Sequence, residues 1–352
     1  MITCGGVFYL MKETSKIYLS KTADIDEQIE LFNETFGISF TKTQWERKHY
    51  NNPYSGKSEQ VCLYKDNKLI GFNLFMPQKY IIKNKEYIFL QSCESAVNKG
   101  HRGNGYLKKI LTSAEEFFEE KYPLIYGVPN ENSKPTFEKL GYIEKVGLNI
   151  LIAIGVKKSF FKDIFHIFKR IALHGKKNDE AKENIEIRIF DADVKCSDVF
   201  FFDHQGTNES DILLDRSKAF YKWKIEKGCD GKYKYFYIER GGKIPVYCVI
   251  SVNQGSKFKI AEIIDIYVES GYEKDLIKII RTIKHNCSVI SMMTTAGGRN
   301  ESLLRNNGFF IYKKNVAFLM YKILKQDSLL QEIMKTEGNW DYSFIEGDTV
   351  FN

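Results

Sequence analysis

The sequence predicts an α/β protein built from two domains of similar size. Three observations lead there. A chain of 352 residues exceeds what one hydrophobic core usually organises. Segments with the period-2 pattern of strands and the 3.6 pattern of helices follow one another along it. A Trp, a hairpin, a strand, a helix and a closing Gly-aromatic pair also come twice in the same order. The copies are about 170 to 180 residues apart, a period at which a whole domain repeats rather than a solenoid unit.

The first copy opens with a strand at 16–20. Residues 24–36 follow as an amphipathic helix with Ile25, Ile29, Leu31, Phe32 and Phe36 apolar, closed by Gly37. Residues 60–64 and 69–76 flank the turn Lys65-Asp66-Asn67-Lys68, a hairpin signal. Residues 87–97 read as a strand. Residues 106–121 are helical, with Leu107, Ile110, Leu111, Ala114, Phe117 and Phe118 on one face. A short apolar strand at 124–128 precedes a short helix at 134–140, which Gly141 closes. Residues 159–173 are amphipathic with a basic flank, and are expected to pack between the domains. The polar, unpatterned stretch at 174–185 is the expected linker.

In the second copy Trp223 echoes Trp45. A hairpin at 233–250 turns at Arg240-Gly241-Gly242. A strand at 260–268, a helix at 275–284, a strand at 288–293 and a helix at 299–306 follow, and Gly308-Phe309 closes the copy as Gly141-Tyr142 closes the first. The expected division is 1–173, linker 174–185, 186–325 and a C-terminal tail at 326–352. Core packing is the expected role of both tryptophans.

Composition narrows the function classes. Apolar residues are 43% and charged residues 28%, the balance of a soluble globular chain. Net charge is +7, which suits an anionic ligand. The Lys and Arg are dispersed without a basic tract, so no nucleic-acid partner is expected. The seven Cys are widely spaced with no CxxC pair, which reads as reduced thiols in the cytoplasm. The six His have no ligand spacing, and no metal is expected. Residues 1–11 lack the basic start and long apolar core of a secretion signal. No run reaches the ~18 apolar residues of a spanning helix, so no stable membrane insertion is expected.

The chemistry concentrates in residues 94–111, ESAVNKGHRGNGYLKKIL. A strand runs into His101-Arg102-Gly103-Asn104-Gly105 and a helix starts at once. Such a turn aims several backbone N–H groups and the positive end of a helix dipole at one point, a seat for phosphate oxygens. Gly103 and Gly105 let the backbone approach a ligand closely, and Arg102 adds a fixed charge with up to five donors. The spacing is neither the dinucleotide GxGxxG nor a P-loop.

Arg102-Gly103-Asn104-Gly105 in this setting resembles the acetyl-CoA loop of the GNAT superfamily of N-acetyltransferases, whose pattern is Arg/Gln-x-x-Gly-x-Gly/Ala. Leu107 departs from the last position. Downstream, Pro129-Asn130-Glu131-Asn132-Ser133 and Phe137-Glu138-Lys139-Leu140-Gly141-Tyr142 resemble the family's second cofactor segment. The resemblance implies two GNAT-like domains, each a mixed, mostly antiparallel sheet flanked by helices. The second is degenerate: its loop, Val268 to Glu273, has no Arg and carries two carboxylates that would repel a pyrophosphate.

The resemblance further implies an acetyl-CoA co-substrate, a small amine acceptor and direct transfer in a ternary complex. An amino sugar of surface polysaccharide synthesis is one acceptor it suggests. The implied cofactor contacts are Ala96, Val97, Arg102, Gly103, Asn104, Gly105, Tyr106, Leu107, Asn130 and Ser133, with Glu94 as general base. Phe137 stands where many relatives carry the Tyr that protonates the thiolate, and Tyr126 and Tyr142 are the substitutes considered. Asn130 also reads as a loop-fixing residue and Ser133 as a helix N-cap. Two other readings compete: transfer of amino acids from aminoacyl-tRNA to peptidoglycan precursors, and a non-catalytic acyl-CoA-binding module. The retained CoA loop and the lack of a long helical arm argue against the former.

Overall fold

The computed structural model describes residues 17–155, 187–191, 212–226, 233–253, 259–336, 340 and 342–347. The amphipathic stretch at 159–173, the expected linker at 174–185, residues 1–16 and residues 348–352 lie outside the described residues.

Local signals set the first elements. Asp24 caps α1 (Ile25–Phe36), its side chain accepting from the Asp26 and Glu27 amides, and Gly37 closes it in the left-handed conformation. Thr41 and Gln44 form a capping box on α2 (Lys42–His49). Strand β1 is Ile17–Ser20. β2 (Glu59–Lys65) and β3 (Lys68–Ile82) turn at Asp66 and Asn67, both at positive φ, as a tight hairpin requires. β3 turns into β4 (Lys85–Val97) through Lys83 and Asn84, again at positive φ. Then come α3 (Tyr106–Phe118), β5 (Leu124–Gly127), α4 (Lys134–Lys139) and β6 (Ile143–Ile154). α3 ends short of the expected residue 121.

The second half supplies β7 (Ile187–Asp191), β8 (Leu213–Leu214), α5 (Lys218–Tyr221) running into a π-helical turn (Lys222–Glu226), and β9 (Tyr233–Arg240). β10 (Lys243–Asn253), β11 (Ile260–Val268), α6 (Glu273–Asn286), β12 (Val289–Thr295), α7 (Arg299–Asn306) and β13 (Phe310–Ile323) follow. The expected tail begins with a helix, α8 (Ser328–Lys335).

One sheet of 13 strands runs through the molecule in the order β1-β2-β3-β4-β5-β13-β6-β12-β11-β10-β9-β7, with β8 on β3. The order is a palindrome: each half builds five strands outward, and the final strand of each crosses to the other. β13 pairs with β5 and β6 pairs with β12, while β6 and β13 pair with each other at the centre. Pairing is antiparallel except β4–β5 and β11–β12. The sequence reading did not assign the two exchanged strands.

Alternation along the strands sorts the side chains to two faces. Phe89, Tyr126 and Leu74 join a core with α1, α2 and Trp340 that extends to Tyr247 and Ile264 of the second half. Leu90, Ile125 and Phe75 point the other way, into a core under α3 and Phe137. α6 and Leu304 of α7 cover the equivalent face of the second half. Trp45 and Trp223 are both buried, as expected of core residues, and the Trp223 indole donates to the Arg47 carbonyl at 3.2 Å. Among the described residues no helix is long and apolar enough to cross a membrane.

Candidate active site

β4 and β5 run parallel only from Leu90–Ile125 to Ser92–Gly127. There β5 ends, whereas β4 continues to Val97. The sheet therefore splits. The wall of the split is bent as well: Phe72 faces Ala96 and Leu74 faces Cys93, so β4 carries one residue more than β3. This is a β-bulge, a device that re-aims side chains beside functional sites. Its extra length sits at Glu94, held at φ +39°, a strained conformation for a non-glycine.

Asn73, opposite the bulge, pins it. Its amide donates to Ser92 Oγ at 3.1 Å and to the Leu74 carbonyl at 2.9 Å, and its Oδ1 accepts from Ser95. Asn73 is fully buried, so these bonds are made without competition from water. Asn73→Ala should lower stability by about 1–3 kcal/mol and lower turnover more than acetyl-CoA affinity. Denaturant unfolding beside steady-state kinetics checks both.

A cleft of about 820 Å³ occupies the split. On the α3 side the cleft is lined by the loop at His101 to Gly105. Gly103 and Gly105 take positive φ, 82° and 72°, which a side chain would strain. Gly105 occupies the cap position of α3, and no side chain caps that end, which leaves first-turn N–H groups for a ligand. Arg102 Nε donates to the Val97 carbonyl at 3.2 Å, tying the loop to β4. His101, Arg102, Lys108 and Lys139 line this end.

The predicted cofactor residues fall as follows. Val97, Arg102, Gly103, Gly105, Tyr106, Leu107, Asn130 and Ser133 line the cleft. Ala96 does not: it is fully buried in the β3–β4 ladder, and Cys93, Glu94 and Ser95 form that stretch of wall. Asn104 also stays out of the lining; its amide donates to the carbonyls of His101 and Arg102 and so braces the loop. Asn130 Oδ1 accepts from the amides of Asn132 and Ser133 at 3.0 and 3.1 Å, an Asx turn. Ser133 makes no capping bond to α4; its hydroxyl instead reaches Asn130.

Glu94 lines the cleft yet is almost fully buried. Lys48 Nζ lies against its Oε1, and His49 Nε2 is 3.3 Å from its Oε2. Sequence reasoning missed both partners. Their signal was spacing: Trp45, Lys48 and His49 stand at i, i+3 and i+4, one face of α2, and that face is buried. Burial and the charges of Lys48 and Lys224 push His49 well below the usual imidazole range, so it is neutral near pH 7. Its Nδ1 meets Ser58 Oγ at 3.1 Å. The Lys48 ammonium takes the cation's place beside Glu94.

Neither tyrosine proposed as a proton donor reaches the cleft. Tyr126 is fully buried and its hydroxyl lies 2.8 Å from that of Tyr80. Tyr142 packs on Phe137 and is buried beside Glu115, which with the loss of water pushes its phenol well up. The tyrosines on the lining are Tyr106 and, from the C-terminal segment, Tyr342. Asp265, on the strand equivalent to β4, is also fully buried, but Arg216 holds it with bonds of 3.0 to 3.3 Å and Tyr247 donates to it. It is a structural ion pair.

In the second half, Glu273 folds back so that its carboxylate accepts from the Gly271 amide at 3.2 Å. A side-chain carboxylate thus sits where the first half offers amides to an anion.

A family model described as an acetyltransferase (GNAT) domain matches residues 16–144. No curated protein matches the sequence significantly. A probable N-acyltransferase from Enterococcus faecalis V583 is similar in structure with a TM-score of 0.62 at 16% identity, over 88% of this chain and 73% of that one. A GCN5-related N-acetyltransferase from Anabaena variabilis gives 0.58 at 13%, over 88% and 73%. N-myristoyltransferase from Saccharomyces cerevisiae, solved with bound myristoyl-CoA, gives 0.53 at 11%, over 88% and 83%. At such identities the likeness of these structures is one of fold.

Proposed function

We propose, from the acetyltransferase (GNAT) domain match at residues 16–144, that the chain is a CoA-dependent acyltransferase which moves an acetyl group from acetyl-CoA to a primary amine by direct attack within a ternary complex. The observation that carries this reading is the split between β4 and β5, which opens at one end onto the amides of α3 and at the other onto Glu94. A phosphate-bearing thioester laid along it would put pyrophosphate at Arg102 to Tyr106 and thioester at the bulge.

Each group then has one task. Arg102, the glycine amides and the α3 dipole hold the pyrophosphate. The backbone beside Val97 aligns the pantetheine arm. The ammonium of the acceptor loses a proton to Glu94, directly or through a water. The freed nitrogen attacks the thioester carbonyl, the C–S bond breaks and CoA leaves as thiolate. Phe137 cannot donate a proton, so the second proton, which the nitrogen sheds as the amide forms, reaches the thiolate through water. The amides on the second half's loop face carboxylates, and we expect one CoA per chain. Cys62, Cys93, Cys248 and Cys287 are buried and outside any disulfide, which suits the reducing cytoplasm we expect for it.

Calorimetric titration of acetyl-CoA into the full chain tests the reading. One site per chain should appear, and Arg102→Ala with Gly105→Glu should abolish it, because a carboxylate in the seat and a strained φ oppose the pyrophosphate together. An unchanged titration in that variant would move the site elsewhere, and no binding to the natural chain would refute the proposal.

A further inference from the structure

The two ends of the cleft differ in chemistry, and the difference bears on the acceptor. Among the described lining residues, all the Lys, Arg and His belong to the loop, α3 and α4: His101, Arg102, Lys108 and Lys139. The α1 residues on the lining are Phe32, Thr35 and Phe36, and the C-terminal segment adds Tyr342. Phe32 and Tyr342 belong to the core on the α1 face of the sheet and Phe137 to the core on the α3 face. The split thus joins a basic mouth on one face to an aromatic mouth on the other.

The aromatic mouth opens to solvent. Phe36 is 48% exposed and Ile38, just beyond the end of α1, is 45% exposed. Of the two, Phe36 lines the cleft, where an exposed ring offers an apolar ligand a surface to cover. Inside, Phe32 and Tyr342 are buried and lead to Glu94, where an amine is needed. Nothing among the described residues of this wall would neutralise a phosphate or a carboxylate of the acceptor.

We propose that the acceptor is a primary amine on an uncharged apolar body, aryl or alkyl, which slides over Phe36 and packs on Phe32 and Tyr342 with its nitrogen at Glu94. An amino sugar carried on a nucleotide or phosphate would bring anionic groups to a wall without cations. Tyr342 makes the C-terminal segment part of the acceptor site, so both ends of the described chain meet in it. The inference rests on the acyltransferase reading above.

The test is a kinetic comparison of 2-phenylethylamine, spermidine and glucosamine 6-phosphate, following CoA thiol release at saturating acetyl-CoA. The phenyl amine should show the highest kcat/KM. Phe36→Ser, at a half-exposed position, should raise its KM about tenfold by removing ring contact, and should leave the calorimetric acetyl-CoA affinity unchanged. Tyr342→Ala should raise the KM further. Preference for glucosamine 6-phosphate or spermidine, no turnover of the phenyl amine, or an unchanged KM in Phe36→Ser would overturn the acceptor assignment. Acetyl-CoA binding that persists in those cases leaves the acyltransferase reading standing, whereas loss of binding sinks both.

Discussion

Glu94→Gln should lower kcat by about 10²- to 10⁴-fold, the usual contribution of a positioned base, with little change in acetyl-CoA affinity. The carboxylate lines the cleft at the bulge, while the cofactor seat lies at Arg102 to Tyr106. The complication is Lys48, buried against Glu94. Removing either charge leaves the other buried without its counter-ion, which destabilises by about 3–5 kcal/mol. Glu94→Gln alone therefore mixes a structural loss with a catalytic one. Lys48→Met together with Glu94→Gln separates them, because exchanging a buried pair for uncharged groups is often close to neutral. The double variant should recover most of the unfolding midpoint and none of the turnover. If turnover returns with stability, Glu94 is a scaffold residue and the base lies elsewhere.

What the sequence made legible was local. The α3 loop could be read because two positions need glycine dihedrals and a helix must follow them. α1 could be read because Asp24 and Gly37 mark its ends. The exchange of β6 and β13 could not, because strand periodicity says which side chains share a face and nothing about which strand lies alongside. Ile143–Ile154 was free, by its pattern, to pair within its own half. The site shows the same limit. Glu94 and Asp265 are carboxylates on matching strands; only tertiary contact gives one to Lys48 at a cleft and the other to Arg216 in a core. Asn73 is an amide inside an apolar strand, a signal that the sequence reading did not use. Tyr342 is about 250 residues from Glu94 in sequence, a separation over which local pattern says nothing about contact.

That distant segment is where an equally large loss of stability is expected. Trp340 is 1% exposed and packs against Tyr80, Phe89 and Tyr126 with ring centroids 5.0 to 6.0 Å away. Its indole donates to Glu346 Oε2 at 3.1 Å, and that carboxyl also accepts from Tyr80 at 2.8 Å and from the Ser343 amide at 3.0 Å. The turn is fastened to both halves: Ile345 N donates to Ile264 O at 3.0 Å and Gln78 donates to Glu346 O at 3.1 Å. Trp340→Ala should lower stability by about 3–5 kcal/mol, the range for a fully buried aromatic, and should raise the KM for the amine because Tyr342 loses its support. The same segment carries a pH signature. Burial raises the Glu346 carboxyl from 4.5 to about 7, so the folded chain holds a proton that the unfolded chain releases. Its contribution is full below pH 4.5, declines as pH rises through about 7, and differs by about 3 kcal/mol between those limits. Unfolding midpoints of the natural chain should fall over that window, and Glu346→Gln should flatten the fall. A slope unchanged by the substitution would mean that another group titrates there. Trp340→Ala unfolding at the natural midpoint would mean that the C-terminal turn is an ornament on a core stable without it.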